Sequence, residues 1–183
     1  ISDAFSATSR YYARLKEDHR AMAESILNDK RLLVVDDEPD VLESLEDLVL
    51  ADAPRCRIDK AGRYEDAVGL LEANAYDLVV LDIMGVRGFD LLEVAVRRHF
   101  RVAMLTAHAL TPEALKRSYD MKAYAFLPKE KLADIVPFLE DVLTYDYATG
   151  WKRLLQRLHG FFSDRFVSDW EKKTGLDWKE WTH

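Results

Sequence analysis

Residues 31–39 read Arg-Leu-Leu-Val-Val-Asp-Asp-Glu-Pro, and this stretch decides the fold. Arg31 to Val35 is a short apolar run ending in β-branched residues, which predicts a strand buried on both faces. Asp36 and Asp37 follow it directly. Glu38-Pro39 then leads into a helical period of Val41, Leu42, Leu45, Leu48 and Val49, with Pro39 suited to the first helical position.

Outward from this stretch the same alternation recurs. Strands are expected at Cys56–Lys60, Leu78–Leu81, Val102–Leu105 and Ala123–Leu127, and helices at Tyr64–Ala73, Phe89–Arg98, Thr111–Tyr119 and Asp134–Leu143. Thr111-Pro112 is a cap followed by a helix opener, and Pro137 must lie in the first turn of its helix, where its missing N–H costs nothing. Strands that read as continuous apolar runs, each followed by a helix, predict a doubly wound α/β domain with a five-stranded parallel sheet covered on both faces. In such sheets the chemistry lies just beyond the carboxyl ends of the strands.

The polar residues at those ends form a set: Asp36 and Asp37 after the first strand, Asp82 after the third, Thr106 after the fourth and Lys129 after the fifth. Taken singly, Asp37 suits an N-cap, Asp82 a turn, Thr106 a cap and Lys129 a solvated lysine. Together they point to a site. Three neighbouring carboxylates raise one another's pKa unless a cation joins them. A hard divalent ion with oxygen ligands resolves the repulsion, which makes Mg2+ the expected metal.

Composition bounds the function. The chain has 183 residues, 49% hydrophobic and 32% charged, enough for one domain with extensions and unlike a disordered chain. No apolar run reaches the length of a membrane span. A single cysteine, Cys56, excludes an internal disulfide and a cysteine-built zinc site, and fits a cytoplasmic setting. The net charge of −7 argues against direct nucleic-acid binding. Residues 30–146 carry 15 basic and 23 acidic groups, against 4 and 5 before them and 7 and 5 after them. All five prolines fall between Pro39 and Pro137, and all four tryptophans at or beyond Trp151. Three segments are therefore expected: an N-terminal helical extension over 1–29, an α/β domain over 30–146 and a C-terminal helical extension over 147–183. The start at Ile1, without an initiator methionine or signal sequence, reads as a cloning or processing boundary.

Val34-Val35-Asp36-Asp37-Glu38-Pro39, Leu78-Val79-Val80-Leu81-Asp82, Met104-Leu105-Thr106-Ala107 and Phe126-Leu127-Pro128-Lys129 resemble the motifs of receiver domains of bacterial two-component response regulators. The resemblance spans about residues 30–146 and implies a flavodoxin-like sheet of order 2-1-3-4-5. It implies that Asp82 accepts a phosphoryl group from the phosphohistidine of a sensor histidine kinase or phosphotransfer protein. Mg2+ would be held by Asp37, Asp82 and the Met84 main-chain carbonyl, with Asp36 acting through water. Thr106 and Lys129 would bind the phosphoryl oxygens, and Phe126 falls at the family's switch position. The chain departs from the pattern twice: the loop Ile83-Met84-Gly85-Val86-Arg87-Gly88 is about two residues shorter, and Glu130 stands where a proline usually follows the lysine. The implied role is a phosphoacceptor signalling domain and not an enzyme. The alternatives are a receiver-like interaction module that is not phosphorylated and, more remotely, an aspartate-nucleophile phosphatase, for which Met84 replaces the general acid.

The flanks lie outside the resemblance. Tyr11, Leu15, Met22 and Ile26 predict one amphipathic helix. Trp151, Leu155, Leu158, Phe162, Phe166 and Trp170 belong to a continuous aromatic stripe at helical spacing over about twenty residues. That stripe either packs on the α/β domain or forms a surface for self-association or a partner protein. No direct DNA contact is expected, since 37 residues are too few for a DNA-reading domain with its own core.

Overall fold

The five apolar runs become five parallel strands in a computed structural model that describes residues 24–166 and 170–175. They are β1 (Arg31–Val35), β2 (Arg57–Ala61), β3 (Leu78–Asp82), β4 (Arg101–Thr106) and β5 (Ala125–Pro128), in the order β2-β1-β3-β4-β5. The interior strands β1, β3 and β4 are buried almost throughout, as their unbroken apolar runs require, whereas the edge strand β2 is largely open. The sheet order and the flavodoxin-like architecture are those expected from the sequence.

Helices α1 (Pro39–Asp52), α2 (Tyr64–Ala73), α3 (Gly88–Arg97), α4 (Pro112–Asp120) and α5 (Ile135–Thr144) alternate with the strands. Pro39 and Pro112 open α1 and α4, and the Thr111 hydroxyl caps α4 by accepting from the Ala114 N–H at 3.1 Å. Pro137 is the third residue of α5, inside the first turn. Asp37 does not cap α1; Glu38 holds that position, and its N–H donates to Asp36 Oδ1 at 3.0 Å. Cys56 stays outside β2 because its N–H turns back to the Ala53 carbonyl. Its buried thiol is pushed up to about 11, chiefly by burial, and stays protonated at neutral pH.

The C-terminal stripe is two helices, not one. Helix α6 (Tyr147–Arg165) is capped by Asp146, which accepts from the Thr149 N–H at 3.0 Å, and ends where Phe166 turns extended; α7 (Trp170–Thr174) follows. Aromatic spacing runs on across the break, so periodicity alone could not show it. Trp151, Leu155, Leu158, Phe162, Phe166 and Trp170 are all buried within the chain. They therefore do not form the exposed self-association or partner surface that the sequence left open. Trp151 is fully buried, with its indole N–H donating to the Ala123 carbonyl at 2.7 Å. Trp151→Phe is expected to leave that carbonyl unpaired and cost about 1–3 kcal/mol in chemical unfolding, while an unchanged midpoint would contradict the bond.

The expected helix from Tyr11 to Ile26 lies outside the described residues apart from its end, where Ser25–Asn28 form a turn closed by the Asn28 N–H on the Ser25 carbonyl. The tail beyond Gly175, with Trp178 and Trp181, also lies outside them. Among the described residues no helix is long and apolar enough to cross a membrane.

Candidate functional site

Parallel topology brings the carboxyl ends of β1, β3, β4 and β5 to one rim, and the polar residues that end those strands come with it. Asp36 is fully buried, Asp82 is 4% exposed and Asp37 is open to solvent. One carboxylate oxygen from each lies within 4.8 Å of the others. Lys129, at the end of β5, reaches across the sheet to this cluster. Its Nζ is 2.7 Å from Asp36 Oδ2, 2.8 Å from Glu38 Oε1 and 3.2 Å from Asp82 Oδ1.

Electrostatics follow from burial. Burial pushes the Asp36 carboxyl above the usual carboxylate range, against the pull of Lys129 and of the Glu38 N–H. Burial, and next the charge of Asp36, does the same to Asp82. Burial opposes the charge on Lys129, yet its contacts with Asp36, Glu38 and Asp82 together outweigh that and raise its pKa. The ammonium is thus fixed in its charged form among acids that would otherwise repel one another. Glu38, the solvent-facing partner, is held below its ordinary value by Lys129.

These residues fit a divalent cation. The donor set is all oxygen, as Mg2+ prefers. Asp36 Oδ2 is a buried atom that makes no aligned hydrogen bond; its contact with Lys129 is an ion pair. The short loop after β3 also leaves room at Asp37: Gly85 has φ +43°, and a Cβ there would fall 2.1 Å from Asp37 Oδ1. In that loop the Met84 carbonyl accepts from the Val86 N–H, and the Met84 side chain is exposed. Gly85→Ala is expected to displace the Asp37 carboxylate and weaken Mg2+ binding by ~10–100-fold in calorimetric titration, with the far-ultraviolet circular dichroism unchanged. Undiminished binding would show that Gly85 does not set the position of Asp37.

Of the residues expected from sequence, the structure groups Asp36, Asp37, Asp82 and Lys129. Thr106 is fully buried on the adjoining strand, with its hydroxyl oxygen accepting from the Ala109 N–H at 2.9 Å. Phe126 is fully buried and faces α6, with its ring centroid 6.2 Å from that of Phe162. Sequence reasoning passed over two residues. Glu38 read only as part of a helix start, although a third acid after Asp36-Asp37 was a signal for a lysine partner. Gly85 read as a departure in loop length, and nothing in the sequence showed its approach to Asp37.

The chain is similar to known proteins. The family model described as the response regulator receiver domain matches residues 32–139. The two-component response regulator ARR18 of Arabidopsis thaliana is 36% identical over 85 residues, which are 43% of this chain and 13% of that protein; the chain thus spans a small part of that relative. Among solved structures, a CheY-like response regulator receiver domain protein from Methanospirillum hungatei JF-1 superposes with a TM-score of 0.56 at 24% identity, over 62% of this chain and 93% of that one. A DNA-binding response regulator of the LuxR family from Staphylococcus aureus does so with a TM-score of 0.57 at 20% identity, over 63% and 99%. At these identities the structural likeness speaks to the fold.

Proposed function

The chain belongs to the response regulator receiver domain family, and from that premise we propose that Asp82 accepts a phosphoryl group from the phosphohistidine of a sensor histidine kinase or phosphotransfer protein. The observation that carries this reading is Asp82 itself, nearly buried at a strand end, with carboxylate oxygens of Asp36 and Asp37 within 4.8 Å and the Lys129 ammonium at 3.2 Å.

Phosphoryl transfer demands alignment and charge neutralisation more than covalent help from the protein. Asp37, Asp82 and the Met84 carbonyl would hold Mg2+, with Asp36 acting through water. The ion would neutralise phosphoryl oxygens during transfer. An Asp82 carboxylate oxygen forms the new O–P bond as the N–P bond breaks. The electron pair stays on the imidazole nitrogen, which leaves neutral when its other ring nitrogen carries a proton. Lys129 follows the new oxygens with a charge its surroundings already fix. The Thr106 hydroxyl, whose hydrogen remains available while its oxygen accepts from Ala109, donates to one of them. The result is a change of charge at one strand end, read out by protein contacts.

The reading is tested by incubating the protein with Mg2+ and acetyl phosphate and weighing it intact. A mass increase of one phosphoryl group that is lost with chelator supports it, and no increase contradicts it. A second reading, a receiver-shaped module that is not phosphorylated, is favoured by the engagement of the Met84 carbonyl with the Val86 N–H. The same measurement separates the two.

A further inference from the structure

The C-terminal helices are seated in two unlike ways. At its start, α6 is anchored by directed bonds: the buried Trp151 indole donates to the Ala123 carbonyl at 2.7 Å, and the Tyr147 hydroxyl donates to the Tyr119 carbonyl. At its end, α6 rests on aromatic rings and on polar pairs at or near the surface. Phe162 lies on Phe126 and stacks with Phe166 at 5.3 Å, and Trp170 of α7 meets Phe166 edge-on at 5.3 Å. Arg165 pairs with Glu130, and His159 meets Glu171 of α7 at 2.9 Å. Surface pairs contribute little, so the far end is seated by the packing of its buried rings and of α7 on α4, among the described residues without directed bonds like those of Trp151 and Tyr147.

That far end touches the site's own strand. Phe126 and Glu130 bracket Lys129 on the chain, and their partners Phe162 and Arg165 are three residues apart on α6, hence on one face. Thr106 is paired with Pro128 in the β4–β5 register, so both phosphoryl-binding residues act on the same end of β5.

We infer that the end of α6 together with α7 is the readout of the site: a phosphoryl group on Asp82 draws Lys129 and Thr106 toward it, shifts Phe126 and Glu130 with them, and loosens α7 from the domain. This rests on phosphoryl acceptance at Asp82. Packed interiors pass on small displacements as discrete rearrangements, and here α7, seated on α4 and on the rings at the end of α6, lies at the end of the chain of contacts. The start of α6, held by Trp151, stays in place.

The test uses the full chain, treated with Mg2+ and acetyl phosphate, with modification confirmed by intact mass and amide hydrogen exchange read by nuclear magnetic resonance. Exchange is expected to quicken by about tenfold at the amides of Phe162–Phe166 and Trp170–Thr174, and to stay unchanged around Trp151. Glu130→Gln, which breaks the pair with Arg165 on the surface, should be modified as fully as the wild type but show a smaller acceleration. Confirmed modification with unaltered exchange at the end of α6 and in α7 would overturn the inference while leaving phosphoryl acceptance standing. An acceleration equal to wild type in Glu130→Gln would overturn the Glu130–Arg165 link. Absence of modification would overturn phosphoryl acceptance, and the inference with it.

Discussion

Lys129→Met is expected to destabilise the cation-free protein by about 3–5 kcal/mol at pH 7, because it removes one partner of a buried ion cluster and strands the other charges. Methionine keeps the length of the side chain, so lost charge and not lost packing carries the effect. Asp36 is fully buried and Asp82 nearly so, and the Lys129 ammonium is the positive charge they share. Two conditions should reverse the loss. Mg2+ replaces the missing charge and should restore most of the stability in urea unfolding. Lower pH should do so as well, and the sign follows from the direction of the shifts. Asp36 and Asp82 have folded-state pKa values raised above their unfolded ones. Their protonation therefore stabilises the fold most below the ordinary carboxylate range, and this contribution disappears as pH rises through the raised values. The gap between wild type and variant should narrow as pH falls from 7 into that range. A variant as stable as wild type at pH 7 without Mg2+ would contradict the cluster.

Gly88→Ala should also be damaging, for a different reason. A Cβ at Gly88 would lie 2.0 Å from the Asp82 carbonyl oxygen and 2.8 Å from Ile83 Cα, both backbone atoms of the segment that carries Asp82. The approach is this close because the loop after β3 is short: the Gly88 N–H donates to the Ile83 carbonyl at 3.1 Å, and Arg87 must adopt φ 56° to start α3. Relief requires moving the end of β3 or the start of α3, and overpacking of this kind costs typically about 1–3 kcal/mol. The expected result is a lower thermal midpoint together with weakened Mg2+ binding. Gly85→Ala, in contrast, meets only the end of the Asp37 side chain and should mainly weaken binding. A Gly88→Ala protein with wild-type melting would show that the loop has slack the structure does not display.

The α/β domain was legible because its strands are buried on both faces, which leaves runs such as Leu78–Leu81 with no polar residue to confuse them. Pro39, Pro112 and Pro137 fixed helix starts within a residue or two, since each can stand only in a first turn. The acid and lysine positions were legible for a topological reason: in a parallel sheet every strand ends on the same rim. What could not be read depended on loop paths and on packing partners. Asp37 read equally well as a cap until the structure gave that place to Glu38. The pairing of Lys129 with Glu38 spans 91 residues and needs the full topology. The stripe from Trp151 to Trp170 announced an apolar face but not what covers it. Nor did it show the extended backbone at Phe166 that divides it, since aromatic residues suit both sides of the break.

The most direct test of phosphoryl acceptance is to locate the modification. After treatment with Mg2+ and acetyl phosphate, borohydride reduction converts an aspartyl phosphate to homoserine, which peptide mass spectrometry places on the sequence. Homoserine at position 82, absent in Asp82→Asn and absent without Mg2+, is the result expected. Homoserine at Asp36 or Asp37, or none at any position, would contradict the assignment of Asp82 as the phosphoacceptor.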